Sequence, residues 1–203
     1  MTAVVEPTRT KGEQTKSSVL SAAIERFGRD GYRATSVADI ARQAGVGGSV
    51  VYTYFSNKQE LFLAALDQDA AGVINEALSG LLDNDDELTG AWHESLIASL
   101  LGAVDRHVLA RRVLGGLEPD VTDHIIEISA MTELRAAVAE RLARDQARGL
   151  VRAEIDPVAV GNGIVTIVMS LLMSVIQVGA NALAALGGDV WAVLDAAVVA
   201  PQP

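Results

Sequence analysis

The stretch VADIARQAGVGGSVVYTYFSNKQEL, residues Val37 to Leu61, decides the fold of this 203-residue chain. Its segment GVGGS, residues 45–49, fits three descriptions: a phosphate-binding loop, a plain turn between two helices, or the turn of a helix-turn-helix. A nucleotide-binding loop needs a preceding strand and a further glycine or a lysine at fixed spacing. Here the preceding residues have a helical pattern, valine stands at position 50 and no lysine follows directly. The nucleotide loop is therefore disfavoured, while the plain turn stays open.

The spacing of small and apolar residues favours the helix-turn-helix. Ala41 lies four residues before Gly45, and its small side chain lets a second helix cross the first closely. Gly45 stands where the chain must leave the helix, at a place where glycine adopts a positive φ without a Cβ clash. Gly47 can begin the next helix as a weak N-cap. Apolar residues occupy the positions that must pack between the two helices: Ile40, Ala44, Val46 and Val51.

The whole chain has a helical pattern, without the alternating runs and hairpin turns of a β protein. Gly31 is suited to end the first helix, Ser36 and Asp39 have capping-box spacing, and Asp156 before Pro157 predicts a helix start. We expect an all-α fold of about nine helices, with a three-helix N-terminal domain and a larger C-terminal helical domain. The second predicted helix is short and begins at Ser36, and the fourth starts directly after 56–58 and continues to about 82. The other predicted helices cover about 16–29, 48–55, 87–107, 108–114, 120–148, 158–178 and 189–199.

The charge is unevenly distributed along the chain. The net charge is -10, and phosphate repels an acidic surface. Residues 1–62 contain eight Lys and Arg against six Asp and Glu, whereas residues 63–203 contain eight against twenty. The mildly basic N-terminal segment therefore permits contact with DNA at one end of the protein.

The sequence shows no catalytic or metal-binding pattern. There is no cysteine, which excludes disulfides, thiolate zinc sites and cysteine nucleophiles. His93, His107 and His124 lack the i, i+4 pairing of a helical metal site, and the acidic run from Asp83 has Leu88 where a calcium loop needs glycine. With no nucleophile–base pair and no cofactor loop, we expect a protein that is not an enzyme and has no cofactor.

The most apolar stretch is residues 161–179. Its apolar run, 164–178, is fifteen residues long and includes Thr, Ser and Gln, whereas a membrane helix needs about twenty apolar residues. We therefore expect no membrane span. A helix that is apolar on nearly all sides must be buried on nearly all sides, which packing against a second copy would achieve through about 158–178 and 189–199. The N-terminal residues lack a secretory signal pattern, so we expect a cytoplasmic protein.

The segment around the opening stretch resembles the N-terminal DNA-binding domain of the TetR/AcrR family of transcriptional regulators. The resemblance covers about 16–62, and the chain departs from the family pattern where the recognition helix begins. The family usually has Ser at 47, a basic or polar residue at 48, Gly at 49 and Thr-Leu at 50–51, and this chain has Gly, Gly, Ser and Val-Val. The matching residues are Ala22-Ala23, Phe27, Gly31-Tyr32, Thr35-Ser36-Val37, Asp39-Ile40-Ala41, Ala44-Gly45-Val46, Tyr52, Phe55 and Lys58 to Leu61.

The resemblance implies a homodimer that places the third helix of each subunit in the major groove of a palindromic operator. By position, Ser49, Val50, Thr53 and Tyr54 would face base edges, and Ser36, Tyr52 and Lys58 would contact phosphate. Two tyrosines two residues apart on a helix cannot face the same way, so which of them faces DNA stays open. The candidate DNA-binding residues are Ser36, Gly48, Ser49, Val50, Tyr52, Thr53, Tyr54 and Lys58.

The resemblance also implies that the C-terminal domain binds a small effector and forms the dimer. The chain then divides into a flexible arm, 1–15, a helix-turn-helix domain, 16–62, and an effector-binding and dimerisation domain, 63–203. Tryptophan and methionine at helical spacing are more often core residues than ligand contacts. The candidates to line an effector pocket are Trp92, His93, Arg106, His107, His124 and Met131.

The favoured function is a ligand-responsive transcriptional regulator, usually a repressor, that an effector releases from DNA. One alternative is a dimeric helical interaction module that has lost DNA binding, which the acidic charge and Gly47-Gly48 would suit. Another is a catalytic helical protein that merely contains a helix-turn-helix. Salt dependence distinguishes them, because binding through phosphates weakens steeply as salt rises.

Overall fold

The computed structural model describes residues 10–82, 92–119 and 128–200, apart from the side chains of 80–82, 93 and 94. This part of the chain forms nine helices and no strand, which confirms the all-α prediction; one isolated bridge pairs Val151 with Val199. The helices are α1 Lys11–Asp30, α2 Val37–Gln43, α3 Gly48–Val51, α4 Lys58–Leu82, α5 Trp92–Val104, α6 Val108–Leu114, α7 Ser129–Ala147, α8 Pro157–Val178 and α9 Asn181–Val198.

Several helix ends lie where local chemistry predicts them. Gly31 ends α1 with φ +86°, and its N–H donates to the carbonyl of Phe27. The Asp156 carboxylate accepts from the N–H of Val158 at 2.9 Å, and Pro157 occupies the first turn of α8. These ends are set by residues within a few positions of the boundary, so sequence alone identifies them.

The start of α1 differs from the predicted arm. The helix begins at Lys11, because Thr10 and Glu13 form a complete capping box: the Thr10 hydroxyl accepts from the Glu13 N–H at 3.2 Å, and the Glu13 carboxylate accepts from the Thr10 N–H at 2.7 Å. The assignment of 11–15 to an arm is therefore wrong. Residues 1–9 lie outside the described residues, as do 83–91 and 120–127, where two further helix starts were predicted.

The last helix also differs from its prediction. α9 begins at Asn181 rather than near Asp189, so Gly187 and Gly188 lie inside a helix. Gly187 is buried, and a Cβ there would lie 3.4 Å from Leu183 Cδ1 and 3.6 Å from the Trp191 ring nitrogen. Glycine in a helix costs roughly 1 kcal/mol relative to alanine, and packing against neighbouring side chains overrides that preference here.

The core is continuous between the N-terminal helices and the rest of the chain. α1 packs on α4 and α6, α4 packs on α5, α6 and α7, and α8 packs on α7 and α9. Phe27, Tyr32 and Phe62 form an aromatic cluster, in which the rings of Phe27 and Tyr32 meet that of Phe62 edge-on with centroids 5.1 and 5.2 Å apart. α4 therefore belongs to both halves of the fold.

The two C-terminal helices are long and apolar enough, by length and composition alone, to cross a membrane. Their most apolar windows are 33% buried for α8 and 22% buried for α9. Five of the eight large apolar side chains that are exposed in the described residues lie on these helices or just after them: Val158, Val178, Leu186, Val193 and Val199. This surface is thus the least covered apolar part of the fold.

Candidate functional site

The turn between α2 and α3 has helix-turn-helix geometry. Gly45 adopts φ +70°, and a Cβ added there would meet nothing within 4 Å. The N–H of Val46 donates to the carbonyl of Ala41 at 3.0 Å, which holds the turn against α2. Gly47 then begins α3 with extended backbone and without a side-chain cap. Glycine at 45 is thus required by the backbone conformation rather than by space.

α3 is a short helix with an open outer face. It ends at Val51 instead of continuing to Phe55, since Thr53 and Tyr54 donate three residues back in a tighter turn. Val51 and Phe55 are buried, whereas Gly48, Ser49, Tyr52 and Thr53 are exposed and Val50 is half-buried. The Thr53 hydroxyl donates to the Val50 carbonyl at 2.6 Å, so its oxygen and methyl group are what it offers outward.

The two tyrosines face different ways. Tyr52 is 57% exposed. Tyr54 is half-buried and packs against the core, and its hydroxyl lies beside the start of α1, 3.6 Å from where a Cβ on Gly12 would stand. The structure thus leaves Tyr52 accessible to a partner molecule and packs Tyr54 against α1.

Ser36 caps α2 at the edge of the same surface. Its exposed hydroxyl accepts from the Asp39 N–H at 3.1 Å and donates to the Asp39 carboxylate at 2.6 Å. The hydrogen bond from Ser36, together with Arg42 at 2.9 Å, lowers the pKa of Asp39. Only half of the expected capping box forms, because the Asp39 carboxylate takes the Ser36 hydroxyl and Arg42 instead of the Ser36 N–H.

Lys58 opens α4 beside the recognition region. Asn57 caps the helix by accepting from the Glu60 N–H at 2.8 Å, and the Glu60 carboxylate accepts from the Ser56 N–H at 2.7 Å. The Lys58 ammonium lies 4.4 Å from the centre of the Tyr32 ring, and burial lowers its pKa while the nearby Glu118 carboxylate opposes that shift. Lys58 is therefore half-buried at the domain junction, with its charge directed partly inward.

Two lysines that are not among the candidate DNA-binding residues also lie on α1, the helix against which Tyr54 packs. Lys11 and Lys16 are exposed on α1, and the Lys16 ammonium lies 5.8 Å from the centre of the Phe55 ring. Because they belong to a helix rather than to an arm, their positions relative to α3 are defined by the fold. The sequence prediction began the first helix at Lys16 and left Lys11 in the arm, whereas the structure has both lysines within α1.

The larger domain contains a cavity of about 40 Å³. Every described side chain that lines it is apolar, and five helices, α4 to α8, contribute. Residues on each of these helices include Leu66, Leu100, Val113, Met131 and Leu172. Met131 is the predicted effector contact that lines this cavity.

Three of the other predicted effector residues, Trp92, Arg106 and His107, do not line this cavity. Trp92 packs against the core without lining the cavity, and Arg106 pairs with Glu76. The side chain of His93 and all of His124 lie outside the described residues. The cavity residues were missed because apolar residues at helical spacing look the same whether they face a cavity or a filled core.

His107 is bound by carboxylates of α4. Its Nδ1 lies 2.8 Å from Asp69 Oδ1, and its Nε2 lies 3.2 Å from Glu76 Oε1. Asp69 is buried and also accepts from the N–H groups of Leu109 and Ala110 at 3.0 and 2.9 Å. This carboxylate therefore caps α6 from a neighbouring helix. Among the described residues, no group of three or more acidic or histidine side chains could hold a metal ion.

A helix-turn-helix with an open third helix, joined by a shared α4 to a larger helical domain with an internal cavity, defines a helix-turn-helix DNA-binding regulator. The model of the family "Bacterial regulatory proteins, tetR family" matches residues 19–65. The transcriptional regulator TtgR of Pseudomonas putida is 27% identical over 161 residues, which cover 75% of this chain and 76% of that protein.

Two solved structures share the fold over nearly the whole chain. A Mesorhizobium loti protein assigned to the TetR family superimposes with a TM-score of 0.70 at 19% identity, covering 95% of this chain and 100% of that one. FadR from Bacillus subtilis, in complex with stearoyl-CoA, gives a TM-score of 0.62 at 20% identity, covering 88% of this chain and 96% of that one. Residues 19–65 thus match the DNA-binding domain model of the TetR family, and the whole chain is similar in sequence and in fold to regulators of that family.

Proposed function

We propose that this protein is a homodimeric repressor that binds a palindromic operator and is released from it by a small-molecule effector. The observation that carries the proposal is the open outer face of α3, with Ser49, Tyr52 and Thr53 exposed beside a turn of helix-turn-helix geometry. The division into a DNA-binding domain, 16–62, and an effector and dimer domain, 63–203, is part of the proposal. Because the proposed repressor acts on DNA inside the cell, the proposal includes a cytoplasmic location.

The proposed DNA contacts use α3 and the helix ends around it. Ser49, Val50 and Thr53 face base edges, with Gly48 allowing close approach at the helix start. Ser36, Tyr52 and Lys58 bind phosphate, and Tyr54 supports the helix from behind. Residues 43–57 contain no Arg or Lys, so bidentate guanine recognition is absent here and specificity relies on weaker contacts and on DNA shape.

The proposed dimer covers the exposed apolar surface of α8 and α9. Pairing the two helices with their copies in a second subunit makes a four-helix interface with two-fold symmetry. Val158 and Val193, both 59% exposed, and Leu186, 46% exposed, would then leave water. Two recognition helices related by that symmetry would reach half-sites roughly 34 Å apart, or a related spacing.

The proposed response to effector passes through α4 and α6. Leu66, Ala70, Val73 and Ile74 place four cavity-lining residues on α4, whose first residue follows the recognition region by a short turn. α6 also lines the cavity and packs on α1, and a Cβ on Gly28 would stand 2.6 Å from Val108 Cγ2. A ligand that prefers one arrangement of these helices would shift the spacing of the two DNA-binding domains. The stearoyl-CoA bound to FadR supports a small-molecule effector for this fold.

The proposal is tested by selecting bound sequences from a random duplex library at two salt concentrations. We expect an enriched palindrome whose binding weakens as salt rises. Tyr52→Phe and Lys58→Ala should each weaken binding to that palindrome, with Tyr54→Phe as the matched control. If a folded dimer enriches no sequence at either salt concentration, the DNA-binding proposal fails and the interaction module, with its acidic C-terminal domain, takes its place.

A further inference from the structure

The described residues that line the cavity among α4 to α8 offer a ligand no hydrogen-bonding side chain. Its described walls are aliphatic carbon and the two thioethers of Met131 and Met169, and a thioether is at most a weak acceptor. Most of the backbone around it is helical, with its N–H and C=O groups paired within the helices. At two helix ends the partners are side chains: the Ala110 N–H donates to Asp69, and the Leu114 carbonyl accepts from Gln177. The described walls of this cavity therefore supply no hydrogen-bond partner to a bound ligand.

The acidic groups nearest in sequence to the cavity residues of α4 are committed to other partners. Asp67 accepts from the N–H of Ala130 at 2.9 Å, at the start of α7. Asp69 caps α6 through the N–H groups of Leu109 and Ala110. Recruiting either carboxylate to a ligand would leave buried backbone donors without an acceptor, which is costly.

We propose that this cavity binds a compact, uncharged hydrocarbon group, and that the effector carries no hydrogen-bonding group on the part that enters it. The inference rests on the proposed function, since it names the chemistry of the effector site. A hydroxyl or amide buried here would lose its water partners without replacement, and a charged group would lose far more. Met131 and Met169 are unbranched and flexible, so they can rearrange to admit a ligand larger than the cavity of about 40 Å³.

Methylcyclopentane and cyclopentanol are matched probes, because a hydroxyl replaces a methyl group on the same ring. The whole protein, labelled with ¹³C at its methionine methyl groups, reports binding by NMR. We expect methylcyclopentane to shift the Met131 and Met169 signals. The signal of Met173, which lies one turn further along α8 and outside the cavity lining, serves as the internal control. Cyclopentanol should bind at least about tenfold more weakly, because its hydroxyl is buried without a partner.

A filled cavity gives a second, independent arm. Ala70→Leu places a larger side chain in the cavity and should abolish the methyl shifts, whereas Ala98→Leu, on the exposed face of α5, should leave them unchanged. Circular dichroism shows whether the filled variant is folded. If it is not, the comparison of the two probes on the wild-type protein still decides the question. Equal affinity for both probes, or no shift of Met131 and Met169, overturns the inference.

The same probes separate this inference from the proposed function. Methylcyclopentane binding that leaves operator binding unchanged would support the hydrocarbon site and overturn its role as the effector site. Intact, salt-dependent operator binding without any methionine shift would overturn the hydrocarbon site and leave the regulator standing. Binding to the wild type that survives Ala70→Leu would place the ligand elsewhere and overturn the inference.

Discussion

Replacing Asp69 should strongly destabilise this fold, because its buried carboxylate holds the start of α6. Asp69 lies on α4 with its side chain 7% exposed. Its carboxylate contacts three groups at the start of α6: the His107 ring and the N–H groups of Leu109 and Ala110. Leu109 and Ala110, whose N–H groups it accepts, are 0% and 4% exposed. Asp69→Ala therefore leaves two first-turn N–H groups of α6 buried without an acceptor, and it removes the partner of His107.

The size of the effect follows from these contacts. A buried donor left without its partner costs about 1–3 kcal/mol, and two such donors together with the lost His107 contact predict a loss of about 3–5 kcal/mol. Asp69→Asn should cost only about 1–2 kcal/mol, because the amide oxygen can take the place of Oδ2 while the charge assistance is lost. The two substitutions thus separate the loss of an acceptor from the loss of a charge.

Urea unfolding at one fixed protein concentration measures both losses, with the free energies obtained by linear extrapolation. Glu76→Ala is the control, because Glu76 also contacts His107 but is 42% exposed and bonds Arg106 at the surface. It should destabilise the protein far less than Asp69→Ala. If the two alanine variants lose similar stability, Asp69 does not cap α6 as argued.

Three further outcomes are expected. Gly45→Ala should lower the free energy of unfolding by about 1–2 kcal/mol, because alanine is strained at the positive φ of this residue. Gly48→Ala should be neutral or stabilising by up to about 1 kcal/mol, because Gly48 is helical and a Cβ there meets open space. Equal losses of the two variants in urea unfolding would contradict this reasoning. Hydrogen bonds from Ser56 lower the pKa of Glu60 below its ordinary 4.5. The stability that the ionised Glu60 carboxylate contributes is therefore present above pH 4.5 and is lost as the pH falls through the pKa of the folded state. Glu60→Gln should therefore reduce the fall of the urea midpoint as the pH is lowered below 4.5. The same fall in the variant as in the wild type would contradict this role of Glu60. Val193→Asp should dissociate the proposed dimer into monomers, as measured by sedimentation velocity. A variant that remains dimeric would place α9 outside the interface.

The helix-turn-helix could be predicted because its determinants are local. The positive φ at Gly45 and the hydroxyl cap at Ser36 depend on residues within four positions of each boundary. Such features need only the short-range geometry of the backbone, so the spacing of small, apolar and capping residues reveals them. The open choice between Tyr52 and Tyr54 needed the tertiary structure, since it depends on which ring finds α1 to pack against.

Other boundaries depended on contacts that spacing does not show. Gly187 and Gly188 look like a helix stop, yet both lie within α9, which packs on α8 and buries Leu194 and Val198 beyond them. The first turn of α1 was missed because its capping box, Thr10 and Glu13, lies several residues before the first apolar residue of the helical pattern. Intrinsic propensity is a weak prior, and packing or a cap can override it.

What the sequence by itself determined is the helical class, the turn at Gly45 and the resemblance of the N-terminal segment to the TetR family, because these depend on periodicity and on residues close together in the chain. Only the tertiary structure decided that Asp69 caps a helix forty residues away and that side chains of five helices surround an apolar cavity. The physical reason is that a leucine or methionine meets the same hydrophobic requirement in a filled core as at a cavity wall. Which of the two it faces is set by how distant helices cross.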